Sequence, residues 1–206
     1  MNQNNKPYVI VITGGIATGK SEASKYLREL GYTVLDSDII VHNGYKKDSY
    51  LYKTLVKTFS DAILDDSKYI DRQKLGNIVL SDNEKLNKLN SLVHKYVVNE
   101  LINGIENCDD KLLFLDIPLM FEQKDALANM GLKYDEIWLI YVSEEVQKQR
   151  LVKRASQENK DIEQTLSIIK KQMSIEDKKL LAHKVINNEG TVEELRRKIK
   201  ELIENC

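Results

Sequence analysis

Residues 14–21 read Gly-Gly-Ile-Ala-Thr-Gly-Lys-Ser, a complete G-x-x-x-x-G-K-[ST] pattern. A strand-like apolar run precedes the motif at residues 8–12, and a helix-like run follows it at residues 20–30. Glycines let the backbone wrap a polyphosphate, and the N-terminus of the following helix favours an anion. In this context the motif predicts an α/β domain that binds a nucleoside triphosphate. The alternative is a glycine-rich turn that binds nothing.

Each part of the motif has an expected task. Lys20 can reach the β- and γ-phosphates, and the Ser21 hydroxyl can bind Mg²⁺. The loop and the first helical turn supply further contacts to the nucleotide, and the residues concerned are Gly15, Ile16, Ala17, Thr18, Gly19, Lys20, Ser21 and Glu22.

The composition of the 206-residue chain is that of an ordinary globular protein, with 42% hydrophobic and 31% charged residues. A formal net charge of −1 gives no basic surface for a nucleic acid. The two cysteines, Cys108 and Cys206, have neither zinc-site spacing nor a disulfide framework. The longest apolar run, residues 137–142, is too short to span a membrane, and residues 1–7 are polar and contain no export signal. A cytoplasmic protein is therefore expected.

Strand-like and helix-like segments alternate, which predicts a parallel sheet with helices on both faces. Five short apolar runs are the predicted strands: residues 8–12, 32–36, 112–117, 136–142 and 184–187. The first helix is expected to end at Gly31, and Thr191 with Glu194 forms a capping box that begins the last one.

The interval between the second and third predicted strands, residues 38–107, is unusually long and has a helical pattern. Asp71 and Ser81 (with Glu84) look like helix starts. From Asp82 onward the apolar residues repeat with helical spacing, which predicts a helix of about 24 residues and about 36 Å. An ordinary crossover needs one short helix, so we expect an inserted helical subdomain that covers the site beside the phosphate loop.

A second helical pair is predicted between the fourth and fifth strands. Ser143 begins a helix with four basic side chains, and Asp161 begins another that carries Ile162, Ile169 and Met173. A basic helix, a polar turn and a second helix are typical of the lid of a small phosphotransferase. We therefore predict a lid at about residues 143–160 that brings Arg150 to the phosphates. The alternative is a solvated charged face.

Three acids stand where predicted strands end. Asp36 and Asp38 flank the end of the second strand, where ligands bind in open parallel sheets. One can face an acceptor or a metal while the other caps the next helix; we predict that Asp38 is the base. Asp116 ends the third strand and is expected to hold Mg²⁺ through water. Alternatively, Asp36 and Asp38 both cap helices without a chemical role, and Asp116 is a turn residue before Pro118.

Taken together, these motifs resemble the dephospho-coenzyme A kinase family over nearly the whole chain. The residues that carry the resemblance are 13–21, 30–40, 116–122, 147–151, Gln172, Lys178 and 185–190. An acid-x-acid after the second strand, combined with Asp-Ile-Pro-Leu after the third, is far more specific than the phosphate loop alone.

The resemblance implies transfer of the ATP γ-phosphate, with Mg²⁺, to the 3′-hydroxyl of the ribose in dephospho-coenzyme A. It implies one domain with a five-stranded parallel sheet, a helical acceptor subdomain at about residues 38–107 and a lid. Lys20, Asp38 and Arg150 would be catalytic, and Asn188 and Gly190 would lie by the adenine. The implied acceptor contacts are Thr13, Asp38, His42 and Glu122. The expected partner is this small molecule alone, with the chain a monomer or a weak homo-oligomer.

The chain departs from the family pattern at several positions. Ala17 replaces a usual Gly and is expected to be tolerated if its backbone avoids positive φ. Glu22 stands in place of Thr and keeps its backbone N–H. The other departures, which bear mainly on the acceptor site, are His42, Lys95, His183 and Asn187.

Other functions of a phosphate-loop protein remain as alternatives. A kinase for a nucleotide or nucleoside would share the loop, sheet and lid. A GTP switch would ordinarily contain Asn-Lys-x-Asp, which the sequence lacks, and a mechanical ATPase usually follows the strand-end acid with Glu, whereas Ile117 follows Asp116. An inactive ATP-binding scaffold is disfavoured because Lys20, Ser21, Asp38 and Asp116 are all intact.

Overall fold

The computed structural model describes residues 6–206. Residues 1–5, which form most of the polar stretch at the start of the chain, lie outside the described part. Five strands form one sheet: β1 (Tyr8–Gly14), β2 (Thr33–Asp36), β3 (Leu112–Asp116), β4 (Glu136–Tyr141) and β5 (Lys184–Asn187). All pairs are parallel and the order is β2-β3-β1-β4-β5, which confirms the predicted sheet. β1 is two residues longer than predicted because Thr13 and Gly14 still pair with β4.

The helices of the described chain are α1 (Lys20–Glu29), α2 (Ser37–Gly44), α3 (Tyr50–Phe59), α4 (Arg72–Leu80), α5 (Asn83–Glu106), α6 (Lys124–Asn129), α7 (Glu144–Gln157), α8 (Ile162–Lys170), α9 (Ile175–Leu181) and α10 (Val192–Glu204), with a 3₁₀ turn at Asp61–Ile63. Within residues 6–206, none of them has the length and apolar character needed to cross a bilayer.

Side-chain caps explain where several of these helices begin. Asp71 caps α4, Asp161 caps α8, and Thr191 forms the predicted capping box of α10. The prediction that Ser81 starts the long helix was wrong. The Asp82 side chain accepts hydrogen bonds from the backbone N–H groups of Glu84 and Lys85 at the start of that helix, and Ser81 is the C-cap of α4. The predicted length of 24 residues is confirmed for α5.

Apolar side chains cover both faces of the sheet, because alternate residues of each buried strand point to opposite sides. Val9 and Val11 of β1 belong to one cluster, which also contains Val98 and Leu101 of α5. Ile10 and Ile12 belong to the other cluster, which includes residues of α1 and α10. The helices therefore lie on both faces, as predicted.

The long insertion has a small apolar core of its own. Its fully or nearly buried members are Leu51, Tyr52, Leu55, Ile63, Leu64, Leu75 and Val79. The first half of α5 packs on this core through Leu86 and Leu89, while its second half packs on the sheet. Helix α5 thus joins the insertion to the sheet.

The helical pair after β4 differs from its prediction in two respects. Helix α8 ends at Lys170, so Met173 lies beyond it and outside the helix that was expected to carry it. A further helix, α9, follows before β5 and was not predicted. The short segment between α8 and α9 passes close to the phosphate loop, as the contacts of Gln172 show.

Candidate functional site

The phosphate loop joins β1 to α1 and lines a cavity of about 530 Å³, here called the phosphate-loop cavity. Besides the loop residues 14–21, its walls contain Asp38, Pro118, Arg150, Arg154 and Gln172. The sequence-predicted Lys20, Ser21, Asp38 and Arg150 therefore meet around one space, although they come from three separate parts of the chain. A larger cavity of about 720 Å³, at the amino ends of the strands, contains none of them.

Two residues of the loop have left-handed backbone. Gly19 has φ of 95°, and a Cβ there would meet the Asn188 side chain at 2.1 Å, so only glycine fits. Ala17 has φ of 61°. The condition under which alanine was expected to be tolerated, a backbone that avoids positive φ, is therefore not met. A non-glycine residue in this conformation costs roughly 1–2 kcal/mol.

Replacing Ala17 by Gly should relieve this strain. Greater freedom of glycine in the unfolded chain offsets part of the gain, so we expect a net stabilisation of about 1 kcal/mol. For a chain of this size that raises Tm by about 2–4 °C. Thermal melting checks it, with Ala126→Gly on the exposed face of α6 as the control that should lower Tm. A fall in Tm for Ala17→Gly would contradict the strain at this position.

The acid that ends β3 faces the loop lysine. Asp116 is 2% exposed; its Oδ1 forms an ion pair with Lys20 Nζ, and its Oδ2 accepts a hydrogen bond of 2.5 Å from Ser24 Oγ. Ser21 is exposed in the first turn of α1.

Within residues 6–206 there is no cluster of three or more His, Cys, Asp or Glu that could hold a metal. Mg²⁺ in kinases takes one or two protein oxygens with phosphates and water, and Ser21 with Asp116 fits that pattern.

The two acids after β2 have different surroundings. Asp36 Oδ1 accepts the backbone N–H groups of Asp38 at 2.9 Å and Ile39 at 3.1 Å, so Asp36 caps α2. Its other oxygen lies 3.3 Å from Arg28. The Asp38 carboxylate lines the phosphate-loop cavity, and no side-chain hydrogen bond or ion pair engages it within residues 6–206. The predicted cap among the two acids is confirmed, and it is Asp36.

Partial burial in the cleft raises the pKa of the Asp38 carboxyl. The positive charge of Lys20 acts in the opposite direction, while the negative charges of Asp36 and Asp116 raise this pKa further. The carboxylate nevertheless opens to solvent on one side, where a ligand could reach it. A carboxylate with a raised pKa is a better proton acceptor than an ordinary one.

A second cavity of about 340 Å³ adjoins the first and is here called the apolar cavity. Its lining is mainly apolar and comes from α2, α5, α6 and the segment that joins β3 to α6: Val41, Val93, Val97, Leu101, Ile117, Leu119 and Leu127. Asp38, Pro118 and Gln172 line both cavities. Asp38 therefore lies at their junction, between the phosphate loop and a space suited to a partly apolar molecule.

Arg150 of α7 is linked to the phosphate loop through Asn188, in the segment after β5. Arg150 donates from Nη2 to the carbonyl oxygen of Asn188 at 2.7 Å, and Asn188 donates from Nδ2 to the carbonyl of Thr18 at 2.8 Å. Asn188 is 8% exposed and packs beside Gly19. Gly190 lies beside Glu194 of the α10 cap and lines neither cavity. Contacts of these two residues with adenine stay a prediction.

A family model described as Dephospho-CoA kinase matches residues 8–194. The chain belongs to the dephospho-CoA kinase family. A protein named Dephospho-CoA kinase from Aquifex aeolicus is 38% identical over 195 residues, covering 95% of each chain. One of the same name from Carboxydothermus hydrogenoformans is 38% identical over 199 residues, covering 95% of this chain and 93% of the relative. A crystal structure from Thermus thermophilus is 30% identical, covers 97% of both chains and has a TM-score of 0.75, in agreement with the fold.

Three residues that the dephospho-CoA kinase pattern predicts to contact the acceptor line neither cavity: Thr13, His42 and Glu122. Thr13 is fully buried and donates its hydroxyl to the Pro118 carbonyl at 3.2 Å. His42 is exposed on α2. Glu122 accepts the backbone N–H of Met173. Contacts of Thr13, His42 and Glu122 with an acceptor stay predictions.

Glu22, which stands where this family usually has Thr, has a structural partner. Its Oε1 accepts from Arg196 Nε at 3.1 Å and Nη2 at 2.6 Å, and Arg196 also lies 3.1 Å from Glu29. The guanidinium stacks over the Tyr26 ring at 5.0 Å. The side chain of Glu22 therefore joins α1 to α10 and points to a structural task, while its N–H stays in the first turn.

Two glutamines that no sequence argument gave a role contact the phosphate loop. Gln147 Nε2 donates to the Ile16 carbonyl at 2.6 Å, and the Ile16 N–H donates to Gln172 Oε1 at 3.2 Å. The buried residues of α7 are Gln147, Leu151 and Ala155, which are four residues apart. An amide on the apolar face of a helix was the signal that could have marked Gln147.

Proposed function

We infer that this chain transfers the γ-phosphate of ATP to the 3′-hydroxyl of the ribose in dephospho-CoA, producing coenzyme A. Membership of the dephospho-CoA kinase family supports the choice of substrate. The observation that carries the chemistry is the placement of Asp38. Its carboxylate, not used for capping, lies where the phosphate-loop cavity and the apolar cavity meet.

ATP binding is assigned to the loop and to Lys20. The first residues of α1, Lys20 and Ser21, line the phosphate-loop cavity, and the helix dipole favours a negative charge at this end of the helix. Asp116 holds the Lys20 ammonium at the edge of the sheet, so the lysine is positioned before the phosphates arrive. The triphosphate would then be held by a fixed charge and by fixed dipoles, which is the main requirement of phosphoryl transfer.

Asp38 is proposed to orient the acceptor hydroxyl and to take its proton. In phosphoryl transfer with a loose transition state the proton leaves late, so a carboxylate is a sufficient base. The apolar cavity on the far side of Asp38 would hold the acceptor, and its valine and leucine side chains suit the non-charged parts of such a molecule. The reacting oxygen would thus approach the γ-phosphate from the side of α2.

Arg150 is proposed to neutralise charge on the transferring group. It lines the phosphate-loop cavity from α7, and its bond to the Asn188 carbonyl fixes the direction of the guanidinium. Arginine can bind two phosphate oxygens at once, which suits the equatorial oxygens of a phosphoryl group in flight.

We also propose Mg²⁺ as the metal of the reaction, held by Ser21 and, through water, by Asp116. The ion would neutralise charge on the β- and γ-phosphates. Both Asp116 oxygens already have partners in Lys20 and Ser24, which favours contact through water over direct coordination.

The deciding experiment is incubation with Mg²⁺-ATP and dephospho-CoA, with the product analysed by mass. We expect a product heavier by one phosphoryl group that co-elutes with coenzyme A. An acceptor that lacks the 3′-hydroxyl should not react, and omission of the divalent cation tests the metal. A panel of nucleosides and nucleoside monophosphates is the comparison. Phosphorylation within that panel alone would identify a different small-molecule kinase.

The raised pKa of Asp38 predicts the pH dependence of the reaction. A base works when it is deprotonated, so kcat/KM should fall about tenfold per pH unit below the pKa of Asp38. This acid limb should lie above the ordinary range of an aspartate, near 3.9. In Asp36→Asn the limb should move to lower pH, because the charge of Asp36 contributes to the upward shift. A limb that does not move would remove Asp38 as its origin.

The remaining properties are proposed on the sequence arguments alone. The near-neutral net charge favours a small-molecule acceptor over a nucleic acid. We propose a cytoplasmic protein that is a monomer or a weak homo-oligomer. Light scattering at several concentrations tests the oligomeric state.

A further inference from the structure

We propose that Gln172, held in place by Glu122 and Lys178, is a positioning residue that fixes the phosphate loop relative to the acceptor. This inference rests on the proposed function, because its tests measure the phosphorylation of dephospho-CoA. Gln172 lies between α8 and α9 and is one of three residues that line both the phosphate-loop cavity and the apolar cavity. A change in its position would therefore affect both sides of the reaction.

Glutamine side chains bind both backbone polar groups of Ile16 in the phosphate loop. The Ile16 N–H donates to Gln172 Oε1 at 3.2 Å, and its carbonyl accepts from Gln147 Nε2 at 2.6 Å. Two amide side chains thus hold both polar groups of this residue, which directly precedes Ala17 with its left-handed backbone. Strained residues persist where their surroundings over-determine the conformation. The two glutamines supply that restraint here.

Gln147 also limits the space beside the loop. It is 3% exposed, and a Cβ on Gly15 would come within 2.4 Å of its Nε2. The side chain of Gln147 is therefore packed against the loop as well as bonded to it. Because Gln147 belongs to α7, the helix that carries Arg150, the loop and the proposed charge-neutralising arginine share one support.

The backbone next to Gln172 is held by Glu122, which in turn pairs with Lys178. The neighbouring Met173 donates its N–H to Glu122 Oε1 at 3.0 Å, and Lys178 Nζ lies 2.8 Å from the same oxygen. Lys178 is completely buried, and its ammonium makes no well-directed hydrogen bond within residues 6–206. Its charge is therefore balanced chiefly by Glu122, and removing that partner would leave a buried charge uncompensated.

These contacts form a continuous path from the segment after β3 to the phosphate loop. Glu122 follows β3, contacts the backbone beside Gln172, and Gln172 contacts Ile16. The segment after β3 also carries Pro118, which lines both cavities. The path thus connects the phosphate loop at Ile16 to the same segment that forms one wall of the apolar cavity. This gives Glu122 a positioning task in place of direct contact with the acceptor.

The test is Gln172→Met, which keeps the length of the side chain and removes the acceptor for the Ile16 N–H. We expect kcat to fall about tenfold, the size of one lost positioning hydrogen bond. The KM for ATP should change by less than about threefold, because Lys20 and the other loop N–H groups remain. Gln164→Met, the same change at an exposed residue of α8, is the matched control and should leave kcat unchanged.

A double-mutant cycle separates positioning from general loosening. Gln147→Met removes the donor to the carbonyl of the same residue, Ile16, so the two substitutions should be non-additive in kcat. Additive effects, or an unchanged kcat in Gln172→Met, would overturn the inference. If Gln172→Met does not fold by thermal melting, the kcat of Gln147→Met decides instead: a drop of about tenfold supports the restraint on Ile16, and no drop overturns it.

Glu122→Gln tests the other end of the path. It keeps an acceptor for the Met173 N–H but removes the charge that balances Lys178. We expect a fall in kcat with an unchanged KM for dephospho-CoA; a rise in that KM alone would make Glu122 an acceptor contact and overturn its positioning task. The wild-type chain is assayed first. A wild type that forms no coenzyme A would refute the proposed function, whereas an active wild type with equally active variants would refute only this inference.

Discussion

Asp38→Asn should lower kcat by about 10²-fold or more, while the affinity for ATP stays within about threefold. The amide keeps the size of the side chain but cannot take a proton from the acceptor hydroxyl. ATP contacts should remain because the loop and the Lys20–Asp116 pair are unchanged. Single-turnover kinetics gives the rate of the chemical step, and binding of a non-hydrolysable ATP analogue gives the affinity.

Asp36→Asn is the matched control for this experiment. It makes the same chemical change two residues away, and Asn caps a helix about as well as Asp. Its turnover near neutral pH should stay within about threefold of the wild type. If Asp38→Asn kept full turnover, or if both variants lost it equally, the base would have to be sought elsewhere.

Arg150→Ala should lower kcat by about 10³-fold, the lower end of what a charge-neutralising arginine contributes to phosphoryl transfer. The KM for dephospho-CoA should change little, because Arg150 lines the phosphate-loop cavity and not the apolar cavity. Steady-state kinetics with each substrate varied in turn separates the two parameters. Arg150→Lys should recover only part of the rate, since an ammonium lacks the planar pair of donors.

Lys153→Ala provides the control on the same helix. Lys153 is an exposed basic residue of α7 that lines neither cavity, so its loss should leave kcat and both KM values within about twofold. A loss of acceptor affinity in Arg150→Ala, with kcat preserved, would make Arg150 an acceptor contact. Equal losses in the Arg150 and Lys153 variants would indicate a general charge effect of α7.

The sheet and the loop were predictable because their signals are local. A buried parallel strand is a short apolar run, and the phosphate loop is a contiguous motif between a strand and a helix. The prediction that one of Asp36 and Asp38 caps the next helix was also confirmed, whereas the role of Asp38 as a base stays a prediction. A cap needs only the residues that follow it, and Asp36 has them.

Other features depend on contacts that a linear pattern does not contain. Gln147 and Gln172 reach Ile16 across 131 and 156 residues, so nothing near Ile16 in the sequence announces them. The left-handed backbone at Ala17 is imposed by the loop, and an alanine gives no sign of it. Helix α9 has seven residues and an exposed leucine pair, which gives little periodic signal.

The double attachment of α5 restricts which part of the molecule can swing. The first half of this 24-residue helix packs against Leu51, Leu55 and Leu75, and its second half packs in the apolar cluster on one face of the sheet. A hinge between the insertion and the sheet would have to break helix α5 or expose its apolar side chains in one of the two clusters, and both cost free energy. We therefore expect the insertion to behave as a fixed wall of the acceptor space, with the same shape before and after the reactants bind.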